Sequence, residues 1–491
     1  MALTIHQQPL YDLLPAGEKI IYTAKDLNAV TNFVKMKYIA RVYVAHNESD
    51  LGSTSNLGAN SLVATLKTNP NSLGVGIFDL SPILDNYVSP DFEGGAPSST
   101  GSASNLQSTY KGTSYDTQSH IIHVIDNFTA NQNAVKFVRV IINTEYATNL
   151  TEPVIETTNH KTAEVLCIFN GYLDHDDILN EVSGNFGYNL NFHNYIMNDT
   201  DGRFLTDAPV KQYIRLEDFA TMGFFNNLQA GGFPSDFNTG QDSTNSIEKM
   251  RIQYYFNGST QGAAIDTALS GNGALGGQAG IAQQGDSNLK LQYYGVGTAN
   301  QKNAGHTIPT NWDYYTVQAL DGDDNVVSKS YEFHKQEDSC QGFETIRLCW
   351  INKYGVWDYY NFTQKSIRTF SKDMVSFQSQ EGTWNGDKYK IDGYKGGKKI
   401  FKSQATEMIT INTDFITDDE AIWLEGLFLS NNVFMLKQNS VDFGNQGILR
   451  KHIEPVIMAS EELERQTTAN NGKKQYTLTL NKSKNRRTQR T

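Results

Sequence analysis

The sequence predicts a mainly β protein: several antiparallel β sandwiches or barrels in separate domains, with a few short helices and long loops. Three observations carry this. Aromatic residues reach 11 %, with 25 Tyr and 25 Phe, while only 19 % of the chain is charged, which suits rings packed between sheets better than long solvated helices. Short runs rich in β-branched and aromatic residues recur along the chain, separated by Gly, Asn and Asp clusters that make turns. At 491 residues the chain is too long for one core, since domains run to roughly 100–200 residues.

The elements follow in order. An N-terminal β domain, residues 1–92, holds KMKYIARVYVA (Lys35 to Ala45) and a strand-like run from Gly74 to Leu80. Pro82 can open a short helix there, with Ser81 as cap and Ile83, Leu84 and Tyr87 on one face, before Pro90 stops it. Residues 93–119 are a Gly/Ser-rich linker or arm with almost no large apolar side chain. A second β domain, 120–225, carries HIIHVIDNF, AVKFVRVIINTEY and AEVLCIFNGYL, and continues through KQYIRLEDFATMGFF. Residues 226–305 form a Gly/Asn/Gln-rich excursion in which Glu248 to Phe256 and Leu289 to Val296 are expected to pair as a hairpin. The aromatic-rich C-terminal β domain, 306–481, contains WDYYTVQAL, VVSKSYEFH, TIRLCWIN, GVWDYYNF, DKYKIDGY, KKIFKS and EMITINTDF as strand candidates. One helix stands out at 418–429, because Thr417 to Glu420 is a capping box and Ile422, Trp423, Leu427 and Phe428 supply an apolar face. Residues 482–491 are a basic tail.

Net charge is −12, yet residues 471–491 hold seven bases and no acid: Lys473, Lys474, Lys482, Lys484, Arg486, Arg487 and Arg490. The remainder stands at −19, which disfavours nucleic acid on the body, while the tail could meet phosphate or an acidic neighbouring subunit. No apolar window approaches the ~18 residues of a membrane span, and no secretory signal is read at the start. Cys167, Cys340 and Cys349 form no CxxC, so neither a disulfide framework nor a cysteine zinc site is expected.

No motif brings cofactor or metal chemistry with it. Gly271 to Gly276 matches GxGxxG inside low-complexity sequence, without the parallel strand that a dinucleotide site needs. His120 and His123 sit three apart on a strand, facing opposite ways. The acid cluster Asp174 to Asp177 is of a kind that can bind calcium or magnesium, but helix capping before Ile178 explains it equally well, and the loop Asn198 to Gly202 puts Met197 and Ala208 where an EF-hand needs ligands. Asp321 to Asn325 reads as a hairpin connection. Each of the pairs Tyr254-Tyr255, Tyr293-Tyr294, Tyr314-Tyr315 and Tyr359-Tyr360 should give one ring to the core and one to a surface. Seven N-x-[ST] sequons, Asn127, Asn149 and Asn361 among them, match chance in an Asn- and Thr-rich chain, and no glycosylation is inferred.

Several blocks together resemble virion structural proteins of tailed bacteriophages, in particular tail, neck and baseplate components. They are Ile77 to Leu84 (IFDLSPIL), Gly202 to Pro209 (GRFLTDAP), Leu348 to Phe362 (LCWINKYGVWDYYNF) and Asp414 to Leu436 (DFITDDEAIWLEGLFLSNNVFML). The resemblance implies a non-enzymatic subunit of a ring or hub, made in the host cytoplasm, whose partners are copies of itself and other virion proteins. The basic tail residues, with Trp350, Trp357 and Trp384, are the contact candidates. Two other classes stay open: a receptor- or glycan-binding tail protein using those tryptophans, and a polysaccharide-degrading enzyme using Asp358 or Asp387.

Overall fold

The protein is described here from a computed structural model covering residues 2–9, 13–46, 48–51, 61–90, 126–128, 133–174, 179–182, 185–188, 196–197, 202–226, 247, 249–268, 291–321, 323–337, 342–391, 393–436, 453–463 and 474–487. It is mainly β, with antiparallel and mixed sheets, short helices and, among the described residues, no closed barrel. The chain divides into two compact units: residues 1–336 with 351–358, and residues 337–350 with 359–438 and 451–491.

The first unit opens with β1 (Leu13–Pro15), β2 (Ile21–Lys25), β3 (Val34–Ala45), β4 (Leu62–Thr68), β5 (Val75–Asp79), β6 (Val135–Ala147) and β7 (Leu166–Phe169). One sheet runs β1-β7-β6-β3-β4, with β1 parallel to β7, and a smaller one places β2 between Thr4–Gln7 and β5. β3 and β6 pair antiparallel with Val42 opposite Val140, so strands on either side of residues 93–119 share one sheet. Apolar residues occupy both faces of β6, as a central strand covered on both sides requires. Tyr38 on β3 is fully buried: its hydroxyl donates to the Gly74 carbonyl at 2.7 Å and accepts from the Asp26 amide at 2.8 Å. Gly76 lies so close to the Tyr38 ring that a Cβ there would collide with it. Asp26 also caps α1 (Leu27–Asn32), accepting from the Ala29 amide at 3.0 Å. The Pro82 helix forms as α2 (Ser81–Leu84) and runs on as a 3₁₀ turn to Tyr87.

Further along lie β8 (Lys211–Ile214), β9 (Thr221–Asn226), β10 (Lys249–Phe256), β11 (Ser259–Ala268), β12 (Leu291–Gly295), α3 (Thr298–Asn303), β13 (Tyr314–Leu320) and β14 (Tyr331–Lys335). A five-stranded sheet runs β8-β14-β13-β10-β11, and β12 pairs between β9 and Asp126–Phe128 in another. The expected hairpin between Glu248 to Phe256 and Leu289 to Val296 is therefore corrected. β10 turns instead at Asn257-Gly258, where φ is 48° and 74°, the left-handed pair that a two-residue hairpin turn demands, and returns as β11. Tyr293 and Tyr294 are likewise both buried rather than split, since β12 is covered on both faces. The other three tyrosine pairs split as expected, with Tyr254, Tyr315 and Tyr359 buried and Tyr255, Tyr314 and Tyr360 half-buried. Asp321 closes the β13 turn by accepting from the Asp323 and Asn325 amides at 2.9 and 2.8 Å.

An eight-stranded sheet, most of whose residues belong to the second unit, is built from β15 (Ile346–Ile351), β16 (Trp357–Phe362), β17 (Ile367–Ser379), β18 (Gly397–Asn412), β19 (Val433–Leu436), β20 (Ile453–Met458), β21 (Thr477–Lys482) and β22 (Arg486–Arg487). Its order is β16-β15-β19-β20-β21-β18-β17, with β22 also on β18. The expected helix is present as α4 (Asp418–Leu429). Thr417 Oγ1 accepts from the Glu420 amide at 3.3 Å, and Glu420 Oε2 accepts from the Thr417 amide at 2.8 Å. The buried face is Ala421, Trp423, Leu424 and Leu427, with Trp423 against Trp350 at 5.4 Å; Ile422, expected inside, is exposed. The strand candidate DKYKIDGY does not form as a strand in its described residues: 387–391 and 393–394 belong to the connection between β17 and β18.

His120, His123, His175 to Asp177, Asn198 to Asp201, Gly271 to Gly276 and Cys340 lie outside the described residues, as do the 93–119 segment, Lys473 and Arg490.

Candidate interaction surface

The sequence of β17, IRTFSKDMVSFQS, puts apolar side chains on both faces of the strand. Ile367, Val375 and Phe377 lie on one face, Phe370 and Met374 on the other, and all are 42–53 % exposed. β18 answers with Ile400 and Phe401, 39 % and 47 % exposed, around a bulge opposite Val375 and Ser376. From Gln404 inward, β18 pairs also with β21 and β22; from Ser403 outward it pairs with β17 alone. Among the described residues the outer half is thus a two-stranded arm with no third strand, an arrangement that is marginal in water on its own. The other long edge of β17 carries no partner strand among the described residues.

The tip is ordered by its own contacts. Trp384 donates from Nε1 to the Glu381 carbonyl at 2.9 Å and meets the Tyr389 ring edge-on at 5.7 Å. Thr383 bonds Lys390 in both directions, at 3.0 and 3.1 Å. Gly382, Gly396 and Gly397 take the positive φ values of the turns. Trp384, Ile391 and Tyr394 are 67 %, 80 % and 77 % exposed.

At the root, Glu407 on β18 is buried and faces three cations. Arg368 Nη1 donates to its Oε1 at 2.9 Å, Arg486 lies 2.8 Å from Oε2, and Lys482 lies 3.5 Å away, also within 3.5 Å of Glu454. Arg368 reaches Glu344 as well, at 2.7 Å, and the Arg486 guanidinium covers the Phe370 ring at 5.2 Å. Burial alone would raise the Glu407 carboxyl, but the Arg368 hydrogen bond and the charges of Lys482, Arg486 and Arg368 prevail and hold it below its ordinary value.

Four of the basic C-terminal residues expected to await a partner are engaged inside their own unit. Lys482 and Arg486 serve Glu407, Arg487 pairs with Gln404 in the sheet, and Lys474 bridges to Asp418. Lys484 and Arg487 keep exposed side chains. Of the tryptophans named from sequence, Trp350 and Trp357 are core residues at 0 % and 1 % exposure, because their strands are buried on both faces, and Trp384 alone faces solvent. Asp358 is buried, accepting from Thr206 Oγ1 at 2.7 Å and Asn352 Nδ2 at 3.0 Å; Asp387 is exposed. The arm itself carries no motif; its only signal was a set of large apolar residues without a periodic face.

A cleft of about 560 Å³ in the first unit is lined by Asp26, Thr144, Tyr146, Glu152 and Thr157 among others. Several of its polar groups bond within the protein: Asp26 caps α1, the Thr144 and Thr157 hydroxyls bond at 3.1 Å, and Glu152 accepts from Thr148. Among the described residues no three His, Cys, Asp or Glu side chains gather as a metal site. No helix is long and apolar enough to cross a membrane among the same residues.

No protein-family model matches the chain, and no curated protein matches it. Two of the solved structures it is similar to are alpha-2-macroglobulins. Native E. coli alpha-2-macroglobulin is 8 % identical with a TM-score of 0.16, over 83 % of this chain and 21 % of that one. Salmonella alpha-2-macroglobulin reacted with methylamine is 7 % identical with a TM-score of 0.17, over 97 % of this chain and 23 % of that one. The chain thus spans less than a quarter of either relative, and likeness at these TM-scores carries no argument about fold or function.

Proposed function

We propose that this chain is a structural subunit of a tailed-bacteriophage virion, in the tail or baseplate assembly, acting through subunit–subunit contacts and not through catalysis. One observation carries the reading: the β17–β18 arm exposes large apolar side chains on both faces over its whole outer half. Monomeric proteins rarely leave contiguous apolar patches beyond roughly 300–600 Å², and such patches mark contact sites. The sequence blocks that resemble tail, neck and baseplate proteins supply the kind of particle. Immunogold electron microscopy with antibodies to the purified chain tests it. Label at one repeated level of tailed particles is expected; particles that never take label, in lysates that contain the protein, would overturn the reading.

Recognition of a receptor or glycan is the second reading, and the exposed Trp384 and Tyr389 at the tip favour it. Binding to host-surface glycans that disappears in Trp384→Ala, with particle assembly intact, would put it first.

A further inference from the structure

The arm differs from the rest of the chain in charge as well as exposure. Residues 367–404 hold eight basic and four acidic residues, a net of +4, which leaves the remainder of the chain at −16. The bases concentrate on the outer half, with Lys388, Lys390, Lys395, Lys398, Lys399 and Lys402. The exposed apolar side chains of strands and tip together present on the order of 1,000 Å², comparable with the ~800 Å² that each partner contributes to a standard stable interface. A surface of that size, apolar and basic, matches a partner that is acidic overall.

We propose that the occupant of the arm is a second copy of this chain, engaged through its acidic body and not through its own arm. The proposal rests on the reading of the chain as an assembly subunit and names its nearest partner. Two positively charged arms repel, whereas an arm on a −16 body attracts. The contact is then heterologous, arm to body, and repeats from copy to copy until a ring closes. The outer edge of β17, which pairs with no strand among the described residues, adds main-chain hydrogen bonds wherever the receiving surface offers an edge of its own.

The test uses the full chain in analytical ultracentrifugation from low to high micromolar concentration, with a double-charge variant, Lys398→Glu with Lys399→Glu, and an apolar variant, Phe377→Ser with Phe401→Ser. Lys398, Phe377 and Phe401 are exposed, while Lys399 is half-buried and donates to the Tyr394 carbonyl at 3.1 Å, so each variant is first shown to be folded by an unchanged melting curve. Concentration-dependent association of the unaltered chain, weakened about tenfold by raising salt from 0.1 to 0.4 M and lost in both variants, is expected. Mixing then separates the two geometries. The apolar variant still offers a body, so it accepts one unaltered arm and caps the assembly; its exclusion from mixed complexes would show arm-to-arm pairing and overturn the proposal. Association that persists in both variants overturns it too. So does an unaltered chain that stays monomeric throughout, an outcome that leaves the particle-labelling result standing by itself.

Discussion

The Glu407 carboxylate and the Arg368 guanidinium, on neighbouring strands β18 and β17, meet at 2.9 Å with the acid buried and the base still reaching water. Together they fix the point at which the two-stranded arm joins the sheet. Because the native carboxyl titrates below its ordinary value of 4.5, its contribution is complete above that value and is lost as pH falls through the lowered one. The melting temperature of the unaltered protein should therefore hold from neutral pH to about 5 and drop below. Glu407→Gln should cost roughly 1–3 kcal/mol at pH 7 and show a shallower acid limb, measured by urea titration across pH. An acid limb identical in the two proteins would remove Glu407 from that role.

Tryptophan fluorescence should separate the arm from the core. Trp312, Trp350, Trp357 and Trp423 are at most 5 % exposed and Trp384 is 67 % exposed. Iodide should quench one accessible component, and Trp384→Phe should abolish it while leaving stability within about 0.5 kcal/mol. Trp350→Ala, by contrast, should cost roughly 3–5 kcal/mol through the cavity it leaves beside Trp423.

Cys349 is fully buried, which pushes its thiol well above the ordinary range, and Cys167 is buried on β7. Peptide mapping after maleimide treatment of the folded protein should find neither residue labelled, and both labelled once urea is added. Labelling of Cys349 without denaturant would show that the β15 core opens.

Two glycines in left-handed conformation should respond unequally to alanine. Gly258, φ 74°, has open space where a Cβ would go, so Gly258→Ala should cost about 1 kcal/mol from the backbone alone. Gly355, φ 77°, faces the Asn170 carbonyl so closely that the added carbon cannot fit without backbone movement. Gly355→Ala should thus be several kcal/mol worse, and equal melting temperatures for the two variants would contradict the packing described.

What could be read from sequence follows from which elements carry a local code. The capping box at Thr417 and the β-branched and aromatic runs of β3, β6 and β13 are local, and they form where the residues predict. The partner of β12 was not legible, because pairing with β9 joins residues some seventy positions apart, while the nearer cue, Asn257-Gly258, directs β10 to β11. β17 was missed altogether, and β18 was read as two short pieces. A strand with no buried face has no two-residue period to detect, and both faces of the arm mix Phe, Met and Val with Lys and Ser. The candidate surface lies in the element least visible to periodicity. Trp384 was singled out for its residue type, yet its exposure depends on the arm that carries it.

The pairing of β3 with β6 sets a schedule for the newborn chain. Val42 leaves the ribosome about a hundred residues before Val140, a gap of roughly five to twenty seconds at ordinary translation rates. During that interval β3 can pair within its sheet only with β4, and the edge of β3 destined for β6 stays open. Loops of this length make the first sheet slow to close, so misfolding during synthesis should begin there, and a chaperone that shields β3 until β6 emerges should raise the yield of folded protein.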